Sequence, residues 1–263
     1  MQTQIHIEQV SKVFNSGDKQ VIALKDINLQ IQQGEFICLL GPSGCGKSTL
    51  LNALAGFALP SSGTIQVQGQ AVTAPGPERG MVFQEYALFP WMTVAQNIGF
   101  GLEIKGTAKP ERDRIVSQLM EKLGLADFAA RYPKDLSGGM RQRVAIARIL
   151  ALDSPIMLMD EPFGALDALT RRNLQDELLR IWAELGKTIV FVTHSIEEAV
   201  YLADRIVVMT YRPGTIKRDI PVSLARPRDP SSAEFNQLKR ELSILVMEEQ
   251  QRFHEAEIHA AVD

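Results

Sequence analysis

The chain has 263 residues, 45% of them hydrophobic and 22% charged, with a net charge of −3. That is enough for one large or two modest domains with a real core, and its balance gives no reason to expect nucleic acid as an obligatory partner. The start, MQTQIHIEQV, lacks the basic and apolar regions of a signal peptide, and no run approaches the roughly 18 apolar residues of a membrane span. Any work at a membrane would therefore go through a partner. The two cysteines, Cys38 and Cys45, have no metal-type spacing and suit reduced thiols in the cytosol.

Residues 1–34 alternate apolar and polar positions (Ile5, Ile7; Ile27, Leu29, Ile31), which predicts half-buried antiparallel strands. EFICLL (35–40) is a continuous apolar run that ends at a glycine loop and is followed by the helical pattern KSTLLNALAGF. Buried strand, turn and helix in that order open a parallel α/β sheet. GTIQVQG (63–69) alternates again and rejoins the antiparallel set.

From about 86 to 153 the pattern is helical, with Ile115, Leu119 and Leu123 recurring every four residues between charges. After 155 the α/β pattern resumes. IMLM and TIVFV read as buried strands, and Leu174, Leu178, Ile181 and Leu185 mark the helix between them, closed by Gly186. The stretch ARPRDPSS (225–232) reads as a linker. Ser231 with Glu234 resembles a capping box for a last helix carrying Phe235, Leu238, Leu242 and Leu245 on one face.

Chemistry concentrates at a few points. GPSGCGKST (41–49) has the form G-x-x-x-x-G-K-[ST] between a buried strand and a helix, the context that a phosphate loop requires. Its glycines let successive N–H groups wrap phosphates, Lys47 reaches the outer phosphates, and the Ser48 hydroxyl can ligate Mg²⁺. IMLMDEP (156–162) ends a buried strand in two carboxylates. Asp160 can hold Mg²⁺ through water, and Glu161 can orient an attacking water or take its proton.

His194 directly follows the strand TIVFV and is a candidate γ-phosphate sensor, while Ser195 and Glu198 form a capping-box pattern for the next helix. Gln84, after the short strand GMVF, is a candidate neutral ligand for metal or water. LSGGMRQR (136–143) is a second glycine-rich helix start and a second natural anion site.

Taken together, these stretches resemble the ATP-binding subunit of an ATP-binding-cassette transporter, and the resemblance covers nearly the whole chain. It implies a P-loop NTPase core of the α/β class. That core has a mostly parallel sheet, an antiparallel β subdomain and an inserted α-helical subdomain at about 86–153, all within residues 1–224. Residues 225–263 would add the linker and a C-terminal amphipathic helix.

The resemblance implies ATP with Mg²⁺ as the bound species, and it assigns roles residue by residue. Gly41, Pro42, Ser43, Gly44, Cys45, Gly46, Lys47, Ser48 and Thr49 form the phosphate loop, and Phe14 stacks on adenine. Gln84 is the Q-loop glutamine, LSGGMRQR (136–143) the signature that opens a helix, GALD (164–167) the D-loop and His194 the switch histidine. Glu161, His194 and Gln84 form the catalytic set, and Ser48, Gln84 and Asp160 hold the metal. Ser137, Gly138 and Gly139 would contact the γ-phosphate held by a second ATP-binding subunit, either an identical copy or a paired homologue.

Gln84 and Ser137 lie too close in sequence for the long coiled-coil arms of chromosome-maintenance and repair relatives. A transporter subunit is therefore the leading reading and a free-standing mechanochemical ATPase the rival. A small-molecule kinase would explain the phosphate loop but not the signature helix. Several stretches are similar to the nitrate, sulfonate and taurine importer branch: GPERGMVFQEYALFPWMTVAQNIGFGL, DEPFGALDALTR, YRPGTI (211–216) and RPRD (226–229).

That likeness implies integral-membrane permease subunits as partners, with a periplasmic or lipid-anchored solute-binding protein acting indirectly. It puts the chain at the cytoplasmic face of the inner membrane, with a small anion as cargo. Tyr86, Leu88, Phe89, Pro90 and Trp91 are candidates for the groove that takes the permease's coupling helix, or for filling the core of the helical block. The residues from Pro221 onward are too few for the regulatory barrel of sugar-importer cassettes, and the spacing of His254 and His259 does not suit a helical metal site.

Overall fold

The computed structural model describes residues 2–17 and 19–260, with the backbone alone for Ser16, Lys19 and 254–260, so the side chains of His254 and His259 lie outside the described residues. The chain forms two compact bodies, Met1–Pro75 with Thr188–Asp263, and Gly76–Lys187.

The first body opens with two long antiparallel strands, β1 (Thr3–Ser16) and β2 (Lys19–Gln32). Ile5, Ile7, Ile27 and Ile31 point inward at no more than 1% exposure, as the period-two alternation predicts. After β3 (Phe36–Leu40) and α1 (Lys47–Ala55), β4 (Ser62–Val67) pairs antiparallel with β1, and the two-residue β5 (Gln70–Ala71) pairs with β4.

A second sheet in this body is built around β3, all of whose residues are buried. Its neighbours are two parallel strands, β8 (Thr188–Thr193) on one side and β9 (Arg205–Met209) on the other, and β10 (Ile216–Pro221) closes the edge antiparallel to β9. Parallel strands buried on both faces need continuous apolar runs, and FICLL, TIVFV and IVVM supply them. Between β8 and β9 lies α6 (Ile196–Leu202).

The last helix of this body, α7 (Ala233–Ala260), is capped by Ser232, whose hydroxyl accepts from Phe235 N–H at 3.3 Å. The expected cap, Ser231, is taken up by Asp229, to which it donates at 2.7 Å. Its buried stripe runs through Phe235, Leu242, Val246 and Glu249, while Leu238 and Leu245 are half-buried on its flanks. Burying Phe235 and Leu242 contributes about 1.5–3 kcal/mol each to docking the helix.

In the second body β6 (Arg79–Val82) and β7 (Ile156–Asp160) pair in parallel, from Arg79 opposite Ile156 to Val82 opposite Met159. Between them come α2 (Val94–Ile104), α3 (Lys109–Lys122), two short 3₁₀ turns (Ala126–Phe128 and Pro133–Asp135) and α4 (Gly138–Ala151). The buried positions of α3 are Val116 and Met120, with Ile115 and Leu119 only half-buried, so the inward face is centred one residue later than the four-residue recurrence suggests. A stripe at i, i+3, i+4 spans about 100°, and either member of each adjacent apolar pair can lead it.

After β7, α5 (Ala168–Leu185) starts at the N-cap Asp167 and stops at Gly186, whose φ of 59° permits the left-handed cap. Leu185 ends up 41% exposed in that last turn rather than on the buried stripe. Among the described residues no helix is long and apolar enough to cross a membrane.

Candidate nucleotide site

In the first body the loop between β3 and α1 is shaped by Gly44 and Gly46, with φ of 77° and 98°. Such left-handed positions favour glycine and are the backbone conformation that lets peptide N–H groups turn toward an anion at the start of a helix. A Cβ on Gly41 would come within 2.8 Å of Cys45 Sγ, and one on Gly46 within 2.8 Å of Leu24 Cδ2, so the cradle leaves no room for side chains there.

Lys47 is only 4% exposed, and its ammonium donates to the carbonyls of Gly41 at 2.8 Å and Pro42 at 2.9 Å. Its charge is thus held at the mouth of the loop's own backbone. Ser43 and Ser48 are exposed, Thr49 is half-buried, and Cys45 is buried with its thiol pushed up by burial. Phe14 on β1 is 44% exposed and carries the Lys12 ammonium 5.2 Å from its ring centroid.

His194, also in this body, is exposed at the carboxyl end of β8. The turn that presents it is locked by a relay. Ser195 N–H donates to Thr193 Oγ1 at 2.9 Å, and that hydroxyl donates to the buried Glu198 carboxylate at 2.6 Å. Ser195 caps α6 as expected, accepting from Glu198 N–H at 3.3 Å, and the Glu198 side chain is held by Thr193.

The second body carries the remaining candidates. Gln84 is exposed beyond the end of β6, and Asp160 and Glu161 stand partly exposed at the end of β7. Glu161 has φ 42°, a left-handed conformation that a residue with a Cβ adopts only under constraint. Ser137 caps α4, accepting from Met140 N–H at 3.3 Å. Gly138 and Gly139 follow in its first turn, where Cβ atoms would lie 3.1 Å from Leu166 and 2.6 Å from Thr170 Cγ2. The signature turn and the D-loop are thus neighbours within this body. Asp167 accepts from Thr170 N–H at 3.0 Å, a bond that holds its carboxyl below the usual range.

Of the five groove candidates, Trp91 is 69% exposed and Pro90 exposed, while Tyr86, Leu88 and Phe89 are half-buried. Phe89 stacks between Trp91 and Phe100, with centroid distances of 5.6 and 4.7 Å. The segment is pinned by two residues to which no sequence motif assigns a role. Buried Asn97 exchanges hydrogen bonds with Phe89, and Arg148 donates to the Tyr86 and Ala87 carbonyls. Neither stands out from its type and spacing alone.

The donors present suit Mg-ATP. A hydroxyl (Ser48) and a carboxylate (Asp160) are hard oxygen ligands, and Mg²⁺ takes few of these from protein because it keeps waters and substrate phosphates. Among the described residues no group of three or more His, Cys, Asp or Glu could hold a metal with protein side chains alone.

Comparison with known proteins agrees with this reading of the fold. The ABC transporter family model matches residues 24–164. The nitrate import ATP-binding protein NrtD of Synechocystis sp. is 48% identical over 237 residues, covering 90% of this chain and 89% of that protein. The taurine import ATP-binding protein TauB of Roseobacter denitrificans is 49% identical over 225 residues, covering 85% of this chain and 84% of that protein. A solved ATP-binding cassette, dimeric in a post-hydrolysis state with ADP and Pi, superposes with a TM-score of 0.75 at 33% identity, covering 84% of this chain and 100% of that one.

The chain belongs to the ABC transporter family. Within it the chain is an ATP-binding subunit, an ATPase with the α/β P-loop NTPase fold.

Proposed function

We propose that this chain hydrolyses ATP to energise the import of a small anion through a separate membrane permease. The observation that carries the reading is the near-half identity, over most of both chains, to subunits named for nitrate and taurine import. A bicarbonate transport ATP-binding protein of Synechococcus elongatus adds support at 51% identity over 228 residues, although this chain spans only 34% of it. Nitrate, sulfonates, taurine and bicarbonate share a compact anionic group, and this subunit does not touch the cargo, so the proposal stops at that class.

In the proposed mechanism the loop amides of 41–49 and Lys47 neutralise the phosphates, and Phe14 stacks on the adenine. Ser48, Gln84 and Asp160 would hold Mg²⁺, which supplies Lewis-acid charge to the phosphate oxygens. Glu161 orients a water and accepts its proton as the water oxygen bonds the γ-phosphorus and the bond to the β-phosphate oxygen breaks, leaving ADP and Pi. His194 and Gln84 arrange the γ-phosphate.

Ser137, Gly138 and Gly139 complete the phosphate cage of a second ATP-binding subunit, so two grips per chain make two composite sites per dimer. Tyr86 to Trp91 receive the permease at the cytoplasmic face of the membrane, and a solute-binding protein delivers the anion from the other side.

Two experiments test this. Glu161→Gln, which keeps binding and slows hydrolysis, is expected to dimerise with saturating Mg-ATP by size exclusion with light scattering, and a monomer there overturns the composite site. Affinity purification of the tagged chain from native membranes in mild detergent is expected to bring down a multi-span permease. Recovery in the soluble fraction with no membrane partner favours the mechanochemical ATPase.

A further inference from the structure

The stretch YRPGTI has no part in the mechanism above, and one of the most deeply buried carboxylates, Glu249, lies far along the sequence from every motif. The structure joins the two. Thr210–Thr215 forms the turn between β9 and β10, closed by the Thr210 hydroxyl, which donates to the Pro213 carbonyl at 2.9 Å.

One side of this turn lies on the back of the phosphate loop. Arg212 Nε donates to the Gly44 carbonyl at 3.1 Å. Gly214 sits so near that a Cβ on it would be 2.2 Å from the Cys45 carbonyl oxygen. Gly214 also ties the turn to β2, donating to the Ala23 carbonyl and accepting from Lys25 N–H, both at 3.0 Å.

The other side is held by α7. Tyr211 N–H donates to Glu249 Oε2 at 2.9 Å, and its ring meets Phe253 edge-on, with centroids 4.6 Å apart. Glu249 Oε1 accepts from Lys217 Nζ of β10 at 2.7 Å. Arg252 Nη1, on the next turn of α7, donates to the same oxygen at 3.2 Å, and because Glu249 is wholly buried its charge is sustained by these partners and would be costly without them.

We propose that the Tyr211–Thr215 turn is a brace for the phosphate loop, with Arg212 as its positioning residue and Glu249 of α7 as its anchor. The inference rests on the reading of 41–49 as the nucleotide site. Its physics is that of a peptide pinned from behind. A guanidinium on the Gly44 carbonyl fixes the 44–45 peptide plane and, together with the Cys45 N–H that donates to the Pro42 carbonyl at 3.4 Å, holds the bend in which the loop presents its backbone to phosphate. The C-terminal helix thereby acts on nucleotide affinity without touching nucleotide.

The test is Mg-ATP binding to the full chain by calorimetry, alongside steady-state ATPase rates. Arg212→Ala is expected to raise Kd about tenfold, or about 1.4 kcal/mol, and to raise KM with kcat nearly unchanged. Arg212→Lys recovers part of the loss. Glu249→Gln is expected to weaken binding about threefold in the wild-type background and to add nothing in the Arg212→Ala background, because both act through one turn. Should Glu249→Gln not fold, Phe253→Ala is expected to weaken binding in the same direction.

Wild-type affinity in Arg212→Ala overturns the brace. Additive losses in the double variant, or wild-type affinity in Phe253→Ala, overturn the anchor. Lys47→Ala is the control for the underlying reading. If it binds Mg-ATP as the wild type does, the nucleotide site itself is wrong, which is a different failure from a silent Arg212→Ala.

Discussion

Gly139 in the first turn of α4 lies against Thr170 in the first turn of α5, with no space for a methyl group between them, since a Cβ on Gly139 would stand 2.6 Å from Thr170 Cγ2. The helix start proposed to cage a partner's phosphate is thereby packed on the turn that follows the D-loop. Gly139→Ala gains up to about 1 kcal/mol in helix propensity but overpacks this contact, at about 1–3 kcal/mol. We expect a net loss in urea unfolding. Thr170→Ser, which removes the offending methyl and keeps the backbone N–H that Asp167 caps, should restore Gly139→Ala to at least wild-type stability. Additive effects of the two changes would mean that the contact is not what makes glycine necessary.

Arg228 is 5% exposed and donates to the carbonyls of Val200 at 2.6 Å and Ala203 at 2.7 Å, at the end of α6. Burial, then the neighbouring Arg226, pull its pKa down to about 10, so it is still charged at neutral pH and neutralises the carbonyl end of the helix. Arg228→Met fits the volume but leaves those carbonyls without a donor, and is expected to cost about 2–4 kcal/mol in urea unfolding. Arg228→Lys should recover less than half, because one ammonium cannot span a fork of acceptors. A loss below about 0.5 kcal/mol for the Met variant would show that water satisfies the helix end.

The parts of the fold that periodicity can carry were legible in the sequence: the alternating strands of 3–32, the buried runs of β3, β7 and β8, and the helix that Gly186 closes. What remained hidden was set by contacts distant in sequence. Arg228 and Glu249 are charges inside the protein and Arg148 is half-buried against backbone carbonyls, and a pattern that assigns charge to the outside cannot place them. Ser231 and Ser232 are equal candidates for a cap until Asp229 claims the first. The phosphate loop announces itself because its glycines are a local backbone requirement. Its brace does not, because Arg212 meets Gly44 across 168 positions.

The anchor of that brace should titrate. Burial raises the Glu249 pKa, but the Lys217 hydrogen bond and the Tyr211 N–H outweigh it and leave the carboxyl below its ordinary range. A carboxylate depressed on folding contributes stability that is present above its unfolded value, about 4.3, and lost as pH falls through the lower folded value. Lys217, raised by Glu248 and Glu249 against the opposing effect of burial, contributes below its ordinary value of about 10.4 and loses that contribution only as pH rises through the folded one. Taking the protein from about pH 7 to about pH 3.5 should therefore lower the melting temperature of the wild type more than that of Glu249→Gln. Parallel curves would show that Glu249 is not linked to acid unfolding.

Arg148, on the helix that begins with the signature turn, donates to the carbonyls of Ala87 at 2.7 Å and Tyr86 at 3.2 Å, and its guanidinium lies 5.7 Å from the Phe89 ring centroid. Tyr86 and Ala87 both have positive φ, 63° and 46°, so the segment beyond Gln84 holds a conformation that L-residues adopt only when neighbours enforce it. Arg148 is one such neighbour. Burial lowers its pKa, yet the guanidinium remains charged and bonded to two carbonyls. Arg148→Met should release the segment, seen as faster amide exchange over 86–91 with the rest of α4 protected. If 86–91 is the permease-facing surface, the same variant keeps ATPase activity of the isolated subunit within about twofold and loses permease-stimulated hydrolysis, because the segment must be shaped before it can bind. Faster exchange with stimulation intact would place the permease contact elsewhere, and unchanged exchange would show that Asn97 alone holds the turn.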